Sequence, residues 1–107
     1  MTDPASLVSS AYQAFTREAP EHAKAWGGMV GGLSDASALD KKTSALAYLA
    51  VLAALCLESG IPFHVQIARQ AGASREEVIS AILVGLPAVG LGVTRVLPAT
   101  ITAYDVE

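Results

Sequence analysis

Apolar residues recur at three- and four-residue intervals along most of the chain, and no segment alternates strictly between apolar and polar positions. This periodicity predicts an all-α fold of about six helices. The first is expected from Asp3, a good N-cap followed by Pro4, to about Arg17, with Leu7, Val8, Ala11, Ala14 and Phe15 on one stripe. Pro20 opens a second helix through His22, Trp26 and Met29, with Glu21 placed to complement the helix dipole. Gly27, Gly28, Gly31 and Gly32 weaken it by about 1 kcal/mol each relative to alanine. Such glycines imply a close-packed backbone or a loose helix.

Ser34–Ser37 reads as a loop, and Asp40 as the cap of a third helix over about Lys41–Glu58. From Ala45 to Leu57 that helix is apolar on nearly every side, which predicts burial all round. Ser59-Gly60 ends it, Pro62 opens a fourth helix, and Gly72 stops that one. Ser74-Arg75-Glu76-Glu77 is a capping box in which Ser74 and Glu77 satisfy each other's free amides. The fifth helix then runs to near Pro87. A sixth is expected over about Val89–Tyr104, with a kink at Pro98.

Composition changes this picture in one respect. At 107 residues the chain suits a single domain over 1–107, yet it is 52% hydrophobic and only 16% charged, against about 25% charged in an average soluble domain. A small sphere has little interior for so many apolar groups, so a homo-oligomer is expected. A membrane span is not expected: Ala45–Leu57 is too short, and Pro87, Gly90, Gly92, Arg95 and Pro98 interrupt the longer run. The N-terminus does not read as a signal peptide, which makes the expected location cytoplasmic. The net charge of −3 and the scattered lysines and arginines offer no basic patch for nucleic acid. The lone Cys56 excludes an intrachain disulfide.

Leu39-Asp40-Lys41-Lys42-Thr43, Phe63-His64-Val65 and Gln70-Ala71-Gly72-Ala73-Ser74-Arg75-Glu76-Glu77-Val78 occur in that order and at family-like separations. Together they resemble the carboxymuconolactone decarboxylase and alkylhydroperoxidase D-like family. The resemblance implies a helical bundle assembling into trimers or hexamers, without cofactor. In the family's redox branch, a glutamate and a Cys-x-x-Cys pair precede the histidine. Counting back from His64, the cysteine positions hold Leu57 and Gly60, and the glutamate position holds Ala45. A one-residue gap would restore Cys56 as the first cysteine but put Ser59 in place of its partner. Either way the dithiol is lost. The decarboxylase branch also lacks the cysteine pair, so catalysis without it remains open.

His64 is therefore the first candidate, a group able to exchange protons near neutral pH; its alternative is a histidine that only packs. Cys56 lies between Leu55 and Leu57, as a core cysteine would, and a reactive thiol would need exposure and a nearby positive charge. Glu58 is the nearest carboxylate to His64 and could orient the imidazole; Ser59 could supply a hydroxyl. Arg95 stands alone in an apolar stretch, either to anchor a substrate carboxylate or to pair structurally. His22 and Trp26 share a helix face. No ligand set for a metal accompanies the histidines. Three functions follow: a cofactor-free enzyme on a small lactone or acid using His64, a one-cysteine peroxide-reactive protein, and a non-catalytic oligomer that binds a ligand or partner.

Overall fold

The computed structural model describes residues 7–106, and it is helical throughout with no strand among them. The elements are α1 (Ser10–Glu18), α2 (Pro20–Ala36), α3 (Lys41–Ala54), α4 (Ile61–Gln70), α5 (Arg75–Leu83), α6 (Leu86–Val89) and α7 (Leu97–Tyr104). Two 3₁₀ segments join them, Glu58–Gly60 before α4 and Leu91–Val96 before α7. Among the described residues no helix is long and apolar enough to cross a membrane.

Polar side chains cap three of the seven helices, α1, α3 and α5. Asp40 Oδ1 accepts the Thr43 amide at 2.7 Å, opening α3. Ser74 Oγ accepts the Glu77 amide at 3.1 Å, while Glu77 Oε1 accepts the Ser74 amide at 2.9 Å, completing the capping box of α5. Pro62 and Pro98 sit in the first turns of α4 and α7, where a missing N–H costs nothing. Pro98 thus starts a helix rather than kinking one. The single sixth helix expected over Val89–Tyr104 is instead the short α6, a 3₁₀ segment and α7, because Gly90 adopts a positive φ of 86° and ends α6.

The other differences are local. The expected cap at Asp3 and Pro4 lies outside the described residues; Ser9 caps α1, so Leu7 and Val8 precede the helix. Helix α2 runs on through all four glycines to Ala36, and the loop is Ser37–Asp40 rather than Ser34–Ser37. Helix α3 stops at Ala54, short of Glu58, because Cys56 takes the left-handed conformation at φ 55°. L-residues other than Asn, Asp and Gly rarely adopt it, at a cost of about 1–2 kcal/mol.

The core lies among α3, α4, α5, α7 and the second 3₁₀ segment. Leu49, Leu52 and Ala53 of α3 meet Ile61, Val65 and Ala68 of α4, Val78 and Ile82 of α5, Val93, Val96 and Ala103. The far side of α3 is open: Tyr48, Val51 and Leu55 are exposed, so burial all round is not achieved within one chain. The end of α7 is held by polar groups. Gln66 Nε2 donates to the Ala103 carbonyl at 2.6 Å, and Arg69 donates to the carbonyls of Tyr104, at 3.1 Å, and Val106. Arg75 makes a two-pronged pair with Asp105 at 2.9 and 3.2 Å, and the Tyr104 hydroxyl donates to the Ala73 carbonyl at 2.8 Å. Cationic and amide donors here satisfy carbonyls that the helix itself leaves unpaired.

Chemical denaturation should rank three variants. Ile82→Ala removes a fully buried side chain and is expected to cost about 2–5 kcal/mol. Ser74→Ala should cost about 1 kcal/mol through the lost cap. Cys56→Val should be less stable than Cys56→Gly, since only glycine takes the left-handed conformation without strain. Acid sensitivity should follow Asp105, Glu77 and Asp40, whose carboxyls are held below their ordinary range by hydrogen bonds from Arg75, from Lys42, and from Thr43 respectively. Their contributions are complete above the unfolded pKa near 4 and are lost as the pH falls through the lower folded values. Urea midpoints should therefore drop below about pH 4, and less steeply in Asp105→Asn.

Candidate functional site

His64 sits in the first turn of α4, where Ile61 anchors the helix in the core and Pro62 fixes its entry. Val65 faces inward from the next position, which leaves His64 at the edge of the core, half-buried. Its imidazole lies against the Tyr48 ring of α3, with centroids 4.4 Å apart and planes at 43°. The Phe63 ring meets it edge-on at 5.3 Å and 84°. Two exposed aromatic rings thus hold the imidazole from two sides.

The electrostatics follow from that burial. Desolvation lowers the His64 pKa below its ordinary 6.5, so the ring is neutral at pH 7. Among the described residues the imidazole makes no hydrogen bond or ion pair, and no nitrogen is sealed in the interior without a partner. A neutral ring held by packing, with its nitrogens unclaimed, can accept a proton from a bound molecule or return one to it.

The other candidates from the sequence are arranged around this position without joining it through hydrogen bonds. Glu58 and Ser59 are exposed on the 3₁₀ turn that leads into α4, and Glu58 forms no ion pair with His64. Cys56 is half-buried at the end of α3, and its Sγ–H donates to the Gly92 carbonyl at 3.6 Å. Arg95 is exposed on the second 3₁₀ segment and makes no ion pair among the described residues. No cluster of three potential metal ligands occurs among the described residues. A shallow apolar depression lined by Leu7, Pro62, Pro98, Ala99, Thr102 and Val106 lies between α4 and α7, and none of these candidates lines it.

Tyr48 is the neighbour that sequence reasoning passed over. Its signal was present but weak: it is the one aromatic residue in the aliphatic run of α3. Only the packing of α3 against α4 reveals that it meets His64.

No curated protein and no solved structure matches the chain. The family model of the carboxymuconolactone decarboxylase family does match, over residues 20–100. That span begins with α2 and takes in α3, the turn, the His64 platform, the capping box and the first half of α7. With more than half of its length matched, and with the motifs lying on the helices that build the site, the chain belongs to the carboxymuconolactone decarboxylase family.

Proposed function

We propose that this chain is a cofactor-free enzyme in which His64 moves a proton on a small carboxylated lactone or related acid. The observation that carries this reading is the half-buried imidazole, held between Tyr48 and Phe63 with no group among the described residues claiming its nitrogens, and kept neutral by its desolvation.

The chemistry asks little beyond this. When a carboxylate leaves as carbon dioxide, the electron pair of the broken C–C bond stays on carbon and must receive a proton. An imidazolium formed with a solvent proton delivers it and returns to the neutral ring. Lowering the pKa makes that imidazolium a stronger acid, and it keeps the resting ring neutral. The rings of Tyr48 and Phe63 supply apolar, flat contact surface for a small conjugated substrate. Arg95 and Glu58 are further candidates for contacting substrate, and neither makes an ion pair among the described residues.

Peroxide chemistry is the second reading, favoured by the partial exposure of the Cys56 thiol. With one cysteine, the thiolate would be oxidised to a sulfenic acid as the peroxide is reduced to an alcohol or water, and an external thiol would have to reduce it again.

The test is carbon dioxide release from a panel of small carboxylated lactones and β-keto acids, run beside peroxide consumption with an added thiol. His64→Ala should lower decarboxylation about 10²–10⁴-fold, while Tyr48→Phe should retain most of it and Tyr48→Ala should not. The decarboxylation rate should fall on the alkaline side with an apparent pKa below 6.5, since the ring must carry the proton it delivers. Decarboxylation unchanged in His64→Ala would overturn the reading. Peroxide turnover lost in Cys56→Ser and kept in His64→Ala would replace it with thiol chemistry.

A further inference from the structure

Helix α2 is the element that the single chain leaves unexplained. Its 17 residues span about 25 Å, and not one is buried. Its four glycines, Gly27, Gly28, Gly31 and Gly32, all lower its helix propensity relative to alanine. A methyl group built onto any of them would meet nothing within 4 Å, so no neighbouring backbone in this chain requires them. The contact it does have is with α1, where Trp26 meets Tyr12 at 5.7 Å and Phe15 at 6.4 Å. Because α1 and α2 form a hairpin about Ala19, the half of α2 beyond Trp26 projects past the start of α1. Met29, Val30 and Leu33 lie on that half at three- and four-residue spacing, all exposed, with Leu33 64% accessible.

A matching surface exists on the globular part. Tyr48 and Val51 of α3, with Phe63 and Ile67 of α4, are exposed side chains at helical spacing around His64. Both faces are apolar and exposed among the described residues. The quantity of exposed surface agrees. The chain presents 6851 Å², against about 5,600 Å² for a compact monomer of its mass. The excess, about 1,200 Å², is larger than the roughly 800 Å² that one partner contributes to a standard interface.

We infer that the projecting half of α2 from a second copy of this chain lies across the Tyr48–Val51 and Phe63–Ile67 face, so that the partner's helix forms the outer wall of the His64 site. The occupant is another copy because the two uncovered faces are both present on every chain, and burying each by the other in a closed ring leaves neither exposed. The glycine-rich side of α2, opposite Met29 and Leu33, then lets a further backbone approach closely. The inference takes His64 as the site, as proposed above, but its test reads assembly rather than turnover, so the two can fail separately.

The experiment uses the full chain with Cys56→Ser, carrying either Leu33→Cys or Ile67→Cys. Mild oxidation of a one-to-one mixture should give covalent dimers in most of the chain, several-fold above either variant alone, and sedimentation should show the parent chain as an oligomer. Met29→Ser/Leu33→Ser should dissociate it with helical circular dichroism retained. Ile67→Ser, on the opposite face, should weaken association independently if the first variant unfolds. A monomeric parent chain, or cross-linking of Leu33→Cys chiefly to itself, which would place α2 against α2, overturns the inference.

Discussion

Leu49, Leu52 and Ala53, buried on one side of α3, hold the described bundle together. Helices α4 and α5 must both reach that side, and the second 3₁₀ segment fills the remaining angle with Val93 and Val96. Because α3 and α4 are tied at this seam, Tyr48 on one and His64 on the other are forced into contact at their common edge. The candidate site is thus a consequence of core packing, built where two helices leave the interior together.

The same constraint explains the abrupt turn between them. Helix α3 has to end before α4 can fold back, and the reversal is made at Cys56 in the left-handed conformation, with the Glu58–Gly60 turn following. Gly60 places its Cα near the Leu52 methyls, where an added Cβ would sit in ordinary contact at 3.6 Å. Cys56 makes this reversal despite the strain of its left-handed conformation, and its Sγ–H donates to the Gly92 carbonyl across the turn. At the other end of the domain, Gln66 and Arg69 of α4 hold the last carbonyls of α7 while Arg75 of α5 pairs with the Asp105 carboxylate, so the helix that bears His64 is anchored at both of its ends.

The open side of α3 and the whole of α2 share one physical cause. A chain that is 52% hydrophobic has more apolar side chains than a domain of 107 residues can enclose. The surplus collects as faces, of which the one around His64 includes Val51 and Ile67. Placing that surplus beside a half-buried imidazole keeps the ring poorly solvated, which is what holds it neutral.

The helical class, the caps at Asp40 and Ser74, the entry at Pro62 and the family were legible in the sequence because each depends on residues a few positions apart. The family's spacing also pointed to His64 in that local way. Three features were decided only in three dimensions. The end of α3 came four residues early because Cys56 accepted a conformation that its residue type does not advertise. The run expected as one helix to Tyr104 broke at Gly90, whose positive φ follows from the fit of Val93 and Val96 into the core. Tyr48 meets His64 through a contact that spans the turn between two helices. Propensity and capping are local energies and can be read along the chain; the meeting of distant side chains depends on how helices pack, and that is set by the core as a whole.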